Sequence, residues 1–316
     1  MNKTILVSII LLTALLTSCT GGTTTQGQGL PFIGGTTGVT ITFEQGQPPA
    51  EVSDTGIQPF SITVRSENKG EYDVPKNRTH ITIRGLSAPL FNTTDARLVQ
   101  NVADDLISTK RLPTGDIQEP APIPTEFSEL NYKGKVTGLE QTYPIQASIC
   151  YEYKNTAQSS LCVRKNLITP KDGGVCEVPG DKEAYNSGGP VQISNMKTMA
   201  RSQNSLGFTF TINHVGTGTL YKITSECNEQ QRSDEGKLFI KVNTGLTGLT
   251  CTGMSDTSTE GTTYQGTAKY LGTPLTITCT QIVDNLNDYV QPITITTEYD
   301  YQETTSTTIK VKSSTS

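Results

Sequence analysis

The chain has no tryptophan, two histidines and four methionines in 316 residues. Charged residues make up 17% of it, against a usual share of roughly 25%. Each shortage weighs against a class of function. Without tryptophan the usual stacking surface for sugar rings is missing. Two separated histidines, His80 and His214, and no C-x-x-C spacing leave no zinc-ligand pattern. A net charge of -5 with no basic stripe argues against a nucleic-acid partner. No G-x-S-x-G elbow marks a hydrolase nucleophile, and no catalytic residue or cofactor is expected. Downstream of the N-terminus every apolar run is strand-sized, too short to span a bilayer.

What fills the space is threonine and serine. Threonine is β-branched and favours strands, so the composition points to an all-β chain. The first residues are weakly basic, and an apolar run from Ile5 to Leu16 follows, broken by Ser8 and Thr13. That run has the length of a signal-peptide core and ends in Leu16-Thr17-Ser18-Cys19. This ending resembles a lipobox, which implies cleavage after Ser18 and lipid on Cys19. The C-terminal residues carry no sorting motif, so extracytoplasmic attachment to the cell membrane is expected to depend on Cys19. Residues 1–18 read as the lipoprotein signal peptide. Residues 19–37, rich in Thr, Gly and Gln, read as a flexible tether.

From Gly38 short alternating segments begin: Val39-Ile41-Phe43, then Phe60-Ile62-Val64, then Ile81-Ile83. A second series contains Val191-Ile193, Phe208-Phe210-Ile212, Leu238-Ile240-Val242 and Leu275-Ile277. Turn residues separate them and no helical period is sustained, the pattern of β-sandwiches. The expected architecture is two tandem immunoglobulin-like β-sandwich domains, over 38–165 and 190–312. A linker is expected at 166–189, where Pro170, Gly173, Gly174, Pro179, Gly188 and Gly189 fall. The proline-rich stretch 102–130 reads as an irregular excursion with one helical turn near Ala103 to Ile107.

An internal repeat supports two copies. Residues 144–164 match residues 292–312 at a constant offset of 148, with six of 21 positions identical: Pro144, Ile145, Tyr151, Tyr153, Thr156 and Val163. Each segment reads as two strands around a polar turn, a hairpin closing its domain.

Several runs resemble uncharacterised secreted proteins of small-genome archaea: Phe43 to Pro49 with Glu51-Val52, Asn68 to Val74, Cys150 to Tyr153 with Leu161-Cys162-Val163, and Gly189-Pro190-Val191. The resemblance covers most of 38–312. It implies tandem Ig-like domains of the adhesion or CARDB kind, with no activity to carry over.

Six cysteines remain after Cys19, and an even number in an exported chain implies disulfides. In a hairpin centred on Thr156, Cys150 and Cys162 would lie opposite and bond. In the second copy Glu298 and Lys310 take their places and would pair by charge. Cys176–Cys227 and Cys251–Cys279 are the pairings expected for the rest.

Other chemistry is thin. Asp284-Asn285-Leu286-Asn287-Asp288 supplies oxygen ligands, yet Asn and Asp also serve turns, and the cluster lacks the glycine and distal glutamate of an EF-hand. No metal site is expected. Asn77-Arg78-Thr79 and Asn92-Thr93-Thr94 are glycosylation sequons. Tyr151-Glu152-Tyr153 and Tyr299-Asp300-Tyr301 place two rings on one face and an acid on the other, read as core packing rather than a ligand platform. The expected function is a lipid-anchored surface protein acting as a non-catalytic adhesion or scaffold module with a protein or glycan partner. The alternative is a surface-anchored binding protein for a soluble ligand or glycan, which a cleft of convergent polar groups would favour. An enzyme with its site in 102–130 is the remaining reading.

Overall fold

The computed structural model describes residues 30–169, 174–284 and 287–314. In chain order the first half contains β1 (Val39–Phe43), β2 (Glu51–Ser53), β3 (Phe60–Asn68), β4 (Thr79–Arg84), β5 (Val99–Asn101), β6 (Lys110–Arg111), β7 (Ile117–Gln118), β8 (Ile123–Leu130) and β9 (Glu140–Val163). There follow β10 (Gly180–Lys182), β11 (Tyr185–Asn186), β12 (Val191–Ser202), β13 (Ser205–His214), β14 (Thr219–Tyr221) and β15 (Lys237–Asn243). The last are β16 (Leu249–Thr252), β17 (Ser255–Glu260), β18 (Thr263–Lys269), β19 (Leu275–Ile282) and β20 (Tyr289–Lys312). Helix is confined to 3-10 turns at Lys76–Arg78 and Asp95–Leu98 among the described residues. The fold is all-β and sandwich-like, as the composition implies.

The central sheet runs β17-β18-β15-β20-β9-β4-β5. A three-stranded sheet, β1-β3-β8, and a five-stranded one, β10-β12-β13-β19-β16, complete the layers. Alternation of β-branched and aromatic residues explains the layering. Ile62 and Val64, Ile81 and Ile83, Phe208 and Phe210, and Ile240 and Val242 are all buried, and they belong to one continuous hydrophobic core.

The middle of the central sheet is the antiparallel pair β9–β20, in register over all 24 residues of each strand. Val163 faces Tyr289 and Glu140 faces Lys312, a constant sum of 452. The repeat offset of 148 then sets a symmetry. Glu152 faces Asp300, its own equivalent in the other copy, while Tyr151 faces Tyr301 and Tyr153 faces Tyr299. A local two-fold axis therefore passes between Glu152 and Asp300, as in an isologous dimer. The flanks obey it: β4 pairs with β9 over 146–151, and β15 pairs with β20 over 294–298.

The four tyrosines at the axis are the largest fully buried side chains. Neighbouring rings lie 5.8–6.2 Å apart. Each hydroxyl finds a partner, which burial demands. Tyr151 accepts the Val39 N–H, Tyr153 donates to the Gly188 carbonyl, Tyr299 donates to Asn155 Oδ1, and Tyr301 accepts the Gly218 N–H. Burial drives all four phenol pKa values upward. The core reading of these rings holds.

Several expectations are corrected. The repeat segments are not hairpins. Each is one continuous strand, and the two copies pair with each other instead of folding back. Asn155-Thr156 lacks the positive-φ residues a tight turn requires, and Asn155 is buried because Ser187, Val191 and Tyr299 satisfy its amide. The register that placed Cys150 opposite Cys162 therefore fails. The disulfides are Cys150–Cys227, Cys162–Cys176 and Cys251–Cys279. Cys176–Cys227 is thereby excluded, and Cys251–Cys279 is found as expected. Glu298 and Lys310 are not neighbours: Glu298 binds Lys241 at 2.8 Å, and Lys310 lies 3.1 Å from Glu140.

The described part of 166–189 is not a free linker. Cys176 is bonded to Cys162, β10 pairs with β12, and β11 pairs with β9. Ile33 and Gly34 of the expected tether are likewise held. The Glu71 carboxylate accepts the Ile33, Gly34 and Gly188 N–H groups at 2.7–2.9 Å. Within the 102–130 excursion the expected helical turn is absent, and 123–130 is β8, with Phe127 and Leu130 buried. Its Pro124 is tolerated because β8 is the outer strand of its sheet, where a missing N–H costs no ladder bond. The signal peptide, Cys19 and residues 19–29 lie outside the described residues.

Truncating a ring at the axis should be expensive. Tyr299→Ala is expected to cost about 3–5 kcal/mol. Tyr299→Phe should cost about 1 kcal/mol, since Asn155 Oδ1 keeps the Val191 N–H. Chemical denaturation of both variants checks this.

Candidate functional site

Strand alternation that sends the tyrosines into the core sends their neighbours to the opposite, outer face of the central sheet. There the rows His80–Cys150–Gln302, Glu152–Asp300 and Lys154–Glu298 run across the strands. The loop between β14 and β15 lies over this face. Three contacts fix it. Cys227 is bonded to Cys150; Glu229 Oε1 accepts from Gln302 Nε2 at 2.7 Å and from Arg84 at 2.8 Å; and the Asp300 carboxylate receives loop N–H groups. Cys150, Cys227 and Tyr221 form a small apolar cluster of their own, apart from the main core.

Asp300 is 3% exposed. It accepts the Thr224 N–H at 3.2 Å and the Glu226 N–H at 2.7 Å, with Ser225 Oγ at 3.4 Å. Thr224, Glu226 and Cys227 have φ of 65°, 54° and 51°, left-handed values that non-glycine residues rarely adopt. The loop thus curls its amides around the carboxylate as a nest around an anion. Burial nevertheless raises the Asp300 pKa, the N–H groups opposing it in part. Glu152, its cross-strand partner, is held by Arg78 at 3.0 Å.

On either side of the disulfide are two hollows of about 310 and 360 Å³ that share His80, Cys150 and Glu226. The first is also lined by Asn77, Arg78, Asn101 and Asp300; the second by Arg84, Ser148, Asn228 and Gln230. The walls are mainly polar, with Val99 an apolar member of the first. Burial lowers the His80 pKa, so its imidazole is neutral at pH 7 and offers one donor and one acceptor. Such a set suits a ligand dense in hydroxyl or amide groups. In their lining the Ser225 hydroxyl donates to the Asp300 carboxylate at 3.4 Å.

The sequence placed His80 at a strand start without a partner, and the topology brings it beside Cys150. His214 lies elsewhere, bonded through Nε2 to Tyr301 at 2.9 Å. Asp288 of the acidic cluster binds Arg164 and the Lys165 N–H, while Asn285 and Leu286 lie outside the described residues. Among the described residues no group of three or more His, Cys, Asp or Glu could hold a metal. Asn77 is exposed at the rim of a hollow, though the Thr79 hydroxyl of its sequon is buried and donates to the Pro75 carbonyl. Asn92 is exposed on a turn with φ of 56°. Arg78, Asn101, Glu226 and Asp300 were not legible as a group. Only Asp300 carried a signal, through the alternation that turned it outward.

No family model and no curated protein matches this chain.

Asp300 offers a direct check. A carboxyl whose pKa is raised in the folded state opposes folding at neutral pH and is relieved as pH falls toward that raised value. Asp300→Asn, which keeps an acceptor and loses the charge, should be at least as stable as wild type at pH 7. It should also lose this part of the pH dependence. Asp300→Ala strands two amides and should cost about 1–3 kcal/mol. Thermal unfolding from pH 4 to 8 without reductant separates the three.

Proposed function

We propose that the chain is a lipid-anchored, extracytoplasmic, non-catalytic module that adheres to or captures a hydroxyl-rich ligand, a glycan above all. The observation that carries this reading is the convergence of His80, Arg78, Asn101 and Glu226 on a hollow beside a disulfide-fixed loop. Pre-set polar walls need little ordering on binding. The three disulfides suit an oxidising compartment and support export. Lipid on Cys19 would supply the membrane attachment, since no helix among the described residues is long and apolar enough to cross a bilayer. Kinship with secreted archaeal proteins carrying Ig-like domains belongs to the same proposal.

Screening the protein on a glycan array tests it. Wild type should bind a limited set of structures, and Asn101→Ala with Glu226→Ala should weaken that binding at least tenfold while leaving the melting temperature unchanged. Both side chains are exposed, so the fold does not depend on them. Absence of binding, or binding indifferent to the double variant, would refute this assignment.

A further inference from the structure

A third hollow, of about 420 Å³, lies where β13, β14 and β18 end. Its frame is backbone. Gly236 donates to the Leu220 carbonyl and accepts the Tyr270 N–H, both at 2.7 Å. Gly236 has φ of 76°, and a Cβ there would come within 2.3 Å of the Tyr270 carbonyl oxygen, so the position admits only glycine. The walls hold two cations, Arg232 and Lys269, and neither has an acid partner among the described residues. Nearby Asp234 is already taken by Lys237 at 3.0 Å. Glu235 is the one acid in the lining, leaving an excess of positive charge.

The third polar wall is His214, with its ring edge-on to Tyr270 and Tyr301 at 5.8 and 5.6 Å. The Tyr301 oxygen accepts the Gly218 N–H at 2.7 Å and hydrogen-bonds His214 Nε2 at 2.9 Å. The imidazole is thereby held in place in the lining. Tyr270 and the 76% exposed Leu271 add apolar surface at the rim. Two unpaired cations and a held imidazole beside an aromatic ring match an anion carried on a flat or cyclic body.

We infer that this hollow is a binding site for a carboxylate attached to a six-membered ring, with Arg232 and Lys269 engaging the carboxylate and Tyr270 packing against the ring. A uronic acid and an aromatic acid share this chemistry. The site is separate from the hollows beside Cys150 and does not rest on their assignment.

Isothermal titration of the full-length, detergent-solubilised protein with sodium glucuronate and sodium benzoate tests it, with glucose and benzyl alcohol as neutral counterparts. At least one carboxylate should bind ten times or more tightly than its neutral counterpart, and more weakly as salt rises from 50 to 200 mM. Binding of glucuronate alone identifies an acidic saccharide; binding of benzoate alone, an aromatic acid. The double variant Arg232→Gln, Lys269→Gln should abolish it with an unchanged melting temperature. No binding of either carboxylate, equal binding of the neutral compounds, or binding that survives the double variant would overturn the assignment.

Discussion

The pairing of β9 with β20 is the constraint on which the rest depends. It joins the two copies of the internal repeat through their longest strands and puts a local two-fold axis between Glu152 and Asp300. The copies repeat one arrangement outward from that axis, β20-β15-β18 on one side and β9-β4-β5 on the other. Four buried tyrosines occupy the inner face of the axis, and their hydroxyls bond to Val39 on β1, to Asn155 on β9, and to the turn residues Gly188 and Gly218. A buried hydroxyl without a partner is costly, so these bonds fix the turns as firmly as the rings fix the strands.

The same axis breaks its symmetry on the outer face. Cys150 is replaced in the second copy by Glu298, and His80 by Phe239, which faces Glu298 as His80 faces Cys150. Only the first copy can therefore bond a loop, and Cys150 takes the one between β14 and β15. That disulfide closes a separation of 77 residues, worth about 4.5 kcal/mol in the chain-entropy picture. Divergence of the copies thus leaves a polar recess on one side of the axis, with its covering loop held by a covalent bond and by the Asp300 carboxylate.

Much of this was legible in sequence. Threonine content and alternation gave the all-β class, and the offset of 148 located the two copies. Alternation in Tyr-Glu-Tyr and Tyr-Asp-Tyr placed rings inward and acids outward. Pairing partners were not legible, because a strand that alternates correctly fits a hairpin with itself or a ladder with its repeat equally well. The disulfides followed from that choice, so an error in register became an error in two bonds. Pro124 concealed β8, since edge position is a property of the sheet and not of the segment. Nothing in the composition around Ile33 shows that Glu71, far along the chain, collects the amides of Ile33, Gly34 and Gly188.

Hydrogen exchange of the intact, oxidised protein tests the central pairing most directly. Amides of 146–160 and 294–306 should be among the slowest in the chain and should open together, with one free energy and one response to denaturant, because neither strand can leave without the other. Exchange of 146–160 by an independent, cheaper opening while 294–306 stays protected would contradict the account.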